Sequence, residues 1–356
     1  MTPTRQCVLS SRVFLEHDGG PAHPESPDRL RVLLGALNAR AAPVLERQRQ
    51  AMAKLAARPD QDPLLADAVA AVQAVIGMGD PGWVEGGRAA TVAELERAHD
   101  PAHIAQVLTI AAAPGPWPRD VGVEVPIGPG SLKAALWSAG TVIEAVDLAR
   151  RGIEVWALVR PPGHHATRRL SQGFCVFNNV AVGALHALAR PVVDGQPAGV
   201  PRTTRVAVLD WDVHHGDGTQ DIFWNEPHAT LVSIHQHPLY PESGAADERG
   251  AHDNIVNIPL GSGSDDRDYC NAIADRALPA LTARNPDLLI VSAGFDAQVG
   301  DPLAGMLVTP AGFGRMAALV RSWAQARGTP LVFVLEGGYK VDTLADCVLA
   351  AMGVPE

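Results

Sequence analysis

Residues 205–220, RVAVLDWDVHHGDGTQ, set carboxylates and imidazoles at short intervals directly after an apolar run. Asp210, Asp212 and His214 follow one another at spacing two. In an extended backbone such positions share a face, so Asp212 and His214 can point together at one ion. A second stretch, RPPGHHATRRLSQGFCVFNN at 160–179, presents adjacent His164 and His165 after two prolines and a glycine that stiffen the turn. Stiffness suits a general base, which must be held within hydrogen-bond reach of the atom it serves. Asp210 and Asp217 are the natural carboxylates to orient the two imidazoles. Asp296 in SAGFDAQVGDPLAGM (292–306) offers a further metal ligand, and EGGY (336–339) presents Tyr339 behind two glycines.

Each stretch follows an apolar segment of strand length. Val206–Leu209, Val155–Val159, Leu288–Val291 and Leu331–Leu335 read as buried parallel strands, as does Thr230–His235, and helical patterns lie between them. Chemistry gathered at strand carboxyl ends is the layout of a doubly wound parallel sheet. Elsewhere, Cys7–Leu15 reads as a first strand, Leu30–Leu37 as a helix, and the Ala-rich segments 51–78 as more helix. GMGDPGWVEGG (77–87) is a glycine-rich loop without the pattern of a phosphate site. Residues 91–108 look helical with a break at Asp100–Pro101, and Ser131–Arg151 forms another helix. The Pro/Gly-rich stretch 113–130 reads as an active-site rim, since strand and helix alternation resumes directly after it.

Composition limits the function classes. The 356 residues are 47% hydrophobic and only 19% charged, which describes a compact soluble protein. A net charge of -10 leaves no footprint for nucleic acid or an anionic membrane. Cys7, Cys175, Cys270 and Cys347 are scattered, so neither a thiolate zinc site nor a disulfide framework is indicated. The start lacks an apolar signal core and no run of about 18 apolar residues occurs, so the expected location is the cytoplasm.

In order and wording, RPPGHHA, GFCVFNN, DWDVHHGDGTQ, SAGFDA with DPLAG, and EGGY resemble the histone deacetylase superfamily. The likeness is greatest to its class II members, with bacterial deacetylase-like and acetylpolyamine amidohydrolases, and runs from HPESPDRL to the last strand. It implies the arginase-deacetylase fold, a three-layer α/β/α arrangement around a mostly parallel sheet, in one catalytic domain over residues 1–356. It also implies hydrolysis of N-acyl amides with one zinc ion. By resemblance, Asp212, His214 and Asp296 are the zinc ligands, with a position open for water and the substrate carbonyl. His165 is the general base, His164 its electrostatic partner, and Tyr339 the hydroxyl that stabilises the oxyanion. Asp210 would hold His164 and Asp217 would face His165, where many class II relatives have Asn.

The same resemblance makes Phe174 one wall of an acyl-lysine tunnel and puts Tyr240 in the place of a second Phe. Gly173 allows close approach, and Arg29 belongs to an inner channel. A potassium ion is implied at Asp210, Asp212, His214, Ser233 and Ile234. The expected substrate is an N-acyl-lysine or a small N-acyl amine. Leu303 stands where polyamine-selective relatives carry an acidic gatekeeper, and leans away from acetylpolyamines. A homo-oligomer is compatible with the sequence. Two other readings compete: a two-manganese ureohydrolase, opposed by Gly216 and Gln298 where that branch would place Asp, and a noncatalytic acyl-ligand-binding module, which loss of a ligand, the His pair or Tyr339 would mark.

Overall fold

The computed structural model describes residues 6–41, 84–190 and 202–354. Among the described residues eight strands form one sheet in the order β2-β1-β5-β10-β9-β6-β7-β8. They are β1 (Gln6–Ser10), β2 (Val84–Glu85), β5 (Glu154–Ala157), β6 (Val206–Asp210), β7 (Ala229–Gln236), β8 (Ile255–Leu260), β9 (Leu288–Ala293) and β10 (Leu331–Leu335). Every neighbouring pair is parallel. Strands β5, β6, β9 and β10 are buried along their whole length, which is why they read as mainly apolar runs, with Glu154, Asp210 and Ser292 as the polar positions. A separate hairpin, β3 (Arg119–Asp120) with β4 (Pro126–Ile127), lies within the 113–130 stretch.

The helices are α1 (Pro27–Ala36), α2 (Val92–Leu95), α3 (Pro101–Ala112), α4 (Ser131–Ala149), α5 (Asn179–Ala189), α6 (Asp217–Phe223), α7 (Asp266–Ala272), α8 (Leu278–Arg284), α9 (Pro310–Arg327) and α10 (Val341–Met352). From β5 through α5 to β6 the chain crosses the sheet one way, and from β9 through α9 to β10 it crosses back. Right-handed crossovers therefore put α5 and α9 on opposite faces. Helix α4 packs on α5, while α9 packs on α10 and α7, and α1 on α10.

Register aligns the strand ends. Asp210 pairs with Ser292 of β9 and Ser233 of β7, and Leu335 pairs with Ala293. The loops that follow β5, β6, β9 and β10 thus leave the same edge of the sheet. Between β9 and β6 the strand order reverses, and such a switch point is where open α/β sheets bind ligands. Below the site, Trp156 stacks on Phe333 at 4.2 Å and 8°, and Trp211 meets the same ring at 5.8 Å.

The elements differ from the sequence reading in three places. Cys7–Leu15 is not one strand: β1 ends at Ser10, and Ser11 caps a single 3-10 turn over Arg12–Glu16 that buries Phe14. The apolar run continues there because the turn, like the strand, faces the core. Strand β8 carries no clear signal, since it is an edge strand with Asn257 and Pro259 inside it. The break at Asp100–Pro101 is a helix start, with the Asp100 side chain accepting from Ala102 N–H. Residues 51–78, and 77–83 of the glycine-rich loop, lie outside the described residues. Among the described residues no helix is long and apolar enough to cross a membrane.

Candidate active site

Strand β6 stops at Asp210, so Asp212 and His214 do not share a site through the pleat of a strand. Side-chain turns bring them together instead. Asp212 N–H donates to Asp210 Oδ1 at 3.1 Å, and His214 N–H donates to Asp212 Oδ1 at 2.9 Å. From the end of β9, Asp296 reaches across to accept Val213 N–H at 2.9 Å. His214 Nδ1 then lies 3.2 Å from both Asp212 Oδ1 and Asp296 Oδ2. All three side chains are buried, with donor atoms within 4.8 Å of one another. Gly337 passes directly against them, donating its N–H to Asp212 Oδ2 at 2.8 Å. A Cβ at that position would sit 1.9 Å from Asp296 Oδ2, which is why the chain has glycine there.

This donor set fits a small divalent cation. Asp296 Oδ2 is buried and forms no hydrogen bond. Burial, with the neighbouring Asp212 charge, pushes the Asp296 carboxyl up to about 7. Two dehydrated carboxylates side by side are costly unless positive charge joins them. Three protein ligands, two carboxylates and one imidazole, match the donor set of an open zinc-type site.

Beside it stands the histidine pair. Past β5 the chain runs through Arg160, Pro161, Pro162 and Gly163 and delivers His164 and His165 with ring centroids 4.0 Å apart. His164 Nδ1 is 3.1 Å from Asp210 Oδ2, and His165 Nδ1 is 2.7 Å from Asp217 Oδ1 at the start of α6. Burial opposes charge on His164, yet Asp212 and Asp210 together hold its pKa well above the usual value. For His165 burial, reinforced by the His164 charge, outweighs Asp217 and takes the pKa down to about 4. The two adjacent imidazoles are thus shifted in opposite directions.

Aromatic rings close the approach. Phe174 packs edge-on against Tyr339 at 5.8 Å, and Tyr240 packs edge-on against His165 at 5.2 Å. Gly173 has φ +54°, and a Cβ there would meet the His165 ring at 2.5 Å, so the wall needs glycine. Arg29 is buried behind Tyr339, its guanidinium 4.8 Å from the ring, and donates to Gly338 O, Glu336 O and Glu25 Oε1. Leu303 is half-buried, its N–H donating to Asp301 Oδ1. Ser233 and Ile234 are buried on β7, with Ser233 Oγ 2.9 Å from His235 Nδ1. Gln298 turns away from the donor set: it accepts from Thr343 and Cys347 and donates to Lys340 O.

The histone deacetylase domain family matches residues 23–354. The chain belongs to the histone deacetylase family. A histone deacetylase-like amidohydrolase of Pseudomonas aeruginosa is 39% identical over 267 residues, 73% of this chain and 67% of that one. An uncharacterized protein of Synechocystis sp. is 34% identical over 347 residues, 97% of each chain. The crystal structure of the HDA15 HD domain is similar with a TM-score of 0.76 at 31% identity, covering 98% of this chain and 88% of that one. These likenesses make this a class II-like member with the arginase-deacetylase fold, and membership makes it a hydrolase of amide bonds of the deacetylase type.

Several residues that support this histone deacetylase-family site escaped the sequence reading. Glu336 is fully buried, and its Oε2 accepts from Gly163 N–H at 2.6 Å and His164 N–H at 3.2 Å, tying the histidine turn to the end of β10. Its place before Gly337 in EGGY was the available signal. Asp301 Oδ2 accepts from Tyr339 N–H at 2.7 Å and so fixes the backbone of that tyrosine. Glu25 binds Arg29, Arg160 and His17 in a buried cluster. Gln172 donates to Asp217 Oδ2. Nothing local marks Asp301 or Gln172, whose partners Tyr339 and Asp217 are far away in sequence, whereas Glu25 meets Arg29 four residues on as well as the distant Arg160.

Proposed function

We propose that this family member is a zinc-dependent amidohydrolase that removes acetyl or related acyl groups from N-acyl-lysine or small N-acyl amines. The observation that carries the reading is the convergence of Asp212, His214 and Asp296, with one orphaned buried oxygen, beside the His164–His165 pair. Asp212, His214 and Asp296 would hold one zinc ion. Bound there, zinc polarises the acyl carbonyl and acidifies the attacking water.

The chain's own residues supply the rest. Neutral His165, its Nδ1–H held by Asp217, has Nε2 available to take the proton from water and return it to the leaving amine. His164, its charged form favoured by Asp212 and by Asp210, which faces its Nδ1, stabilises negative charge as it develops. Tyr339 donates its hydroxyl to the oxygen of the former carbonyl, and Arg29 and Asp301 hold that tyrosine in place. Phe174 and Tyr240 flank the acyl chain, and Gly173 leaves it room. Potassium at Asp210, Asp212, His214, Ser233 and Ile234 would brace the loop, and residues 1–356 would be one catalytic domain. The outward turn of Gln298 favours one metal over the two of a ureohydrolase.

Leu303 favours acyl-lysine over acetylpolyamine, since a half-buried aliphatic side chain offers nothing to a second ammonium group. The test is turnover of acetyl-lysine and trifluoroacetyl-lysine peptides against N-acetylputrescine and N8-acetylspermidine, with enzyme stripped of metal and reloaded with zinc. Faster peptide turnover is expected. The reverse would make this an acetylpolyamine amidohydrolase, and no turnover with zinc fully bound would leave an acyl-ligand-binding module.

A further inference from the structure

His164 and His165 are held by carboxylates in different settings. Asp210 is fully buried, one oxygen facing His164 and the other accepting Asp212 N–H. Asp217 is less enclosed, its side chain 17% exposed at the first position of α6. One of its oxygens faces His165 Nδ1, and the other accepts from the Gln172 carboxamide.

Gln172 is well placed to fix that carboxylate. Its backbone makes bridges with Val123 on one side and Cys175 on the other. The flanking residues are tied to the β3–β4 hairpin by Val123 N–H to Ser171 O at 3.0 Å, Gly173 N–H to Val123 O at 3.2 Å and Phe174 N–H to Glu124 O at 3.1 Å. The next residue, Gly173, lies against the His165 ring itself. A carboxylate whose two oxygens meet donors from opposite sides cannot rotate without losing one of them. A carboxylate held by His165 alone could turn freely and would accept from either orientation of the ring.

We infer that Gln172 is a positioning residue that acts through Asp217 to hold His165 with its proton on Nδ1 and Nε2 free. This rests on the amidohydrolase reading above. Such outer partners of reacting groups are commonly worth on the order of tenfold in rate. Gln172→Met keeps the volume of the wall and removes the donor, and Gln172→Glu keeps the shape and replaces the donor with an acceptor.

Both variants should lower kcat by about tenfold while KM moves less than about twofold. In an Asp217→Ala background Gln172→Met should lower kcat no further, because the group it acts through is gone. The readout independent of turnover is the imidazole 15N spectrum of the metal-free protein, with the His165 signals assigned by their loss in His165→Ala. Wild type should show an Nδ1–H tautomer, and Gln172→Met a mixture of tautomers. An unchanged His165 spectrum in Gln172→Met, or an equal further loss of kcat in the Asp217→Ala background, would overturn the inference. Failure of wild type to hydrolyse any acyl amide would count against the amidohydrolase reading, and the spectra would still decide the role of Gln172.

Discussion

Asp296 directs one carboxylate oxygen into a buried space where it makes no well-formed hydrogen bond, with His214 Nδ1 3.2 Å away. Removing that oxygen should remove the cation: Asp296→Ala is expected to retain less than about a tenth of the zinc that wild type carries after dialysis, measured by elemental analysis. Full occupancy in the variant would show that the cation is held elsewhere. Tyr339 is a different case, since it contributes a donor and no ligand. Tyr339→Phe should keep zinc but lower kcat on the order of a hundredfold with little change in KM, and an unaltered kcat would mean that another group holds the oxyanion. These residues were legible because each follows an apolar strand as an unexpected polar group. Glu336 and Asp301 were not, because each acts by accepting backbone N–H groups of a distant segment. A side chain's type does not state which backbone it will meet.

Among the elements, helix α2 carries a self-contained electrostatic device. Thr91 caps it and Glu94 completes a capping box, while Arg88 binds the Glu94 carboxylate at 2.6 Å and 2.8 Å. Arg88, with the Thr91 N–H helping and burial opposing, takes the Glu94 carboxyl down to about 2. A depressed folded-state pKa gives stability that is complete above the unfolded value of about 4.3 and is lost as pH falls towards 2. Glu94→Gln should therefore lower the urea midpoint at neutral pH, with the gap to wild type narrowing below about pH 4. A gap that stays constant with pH would place the effect in packing. Strand cores were readable from composition because burial on both faces demands apolar residues throughout. Element ends were less so: Leu15 continues the apolar pattern of β1 although a 3-10 turn has already replaced the strand.

Across the whole molecule, the site rests on the central strands and the aromatic stack beneath them. Phe333 on β10 is fully buried between Trp156 and Trp211, with the Arg321 guanidinium 5.3 Å from its ring. Phe333→Ala should cost about 3–5 kcal/mol and lower the calorimetric unfolding midpoint, with the folded fraction still binding zinc. A midpoint unchanged within error would show that the neighbours close over the lost ring and that the stack contributes little to stability. The order of strands has a consequence for how the chain is made. Strand β10 lies between β5 and β9, so until residue 335 has been synthesised the sheet is split into two halves that cannot pair. One half carries the histidine pair and the other all three candidate ligands, and Gly337, which packs against two of those ligands, arrives after them all, followed by Tyr339. Such long-range pairing is slow to form, and a ribosome-bound chain should hold its cation weakly until the strand that joins the halves is in place.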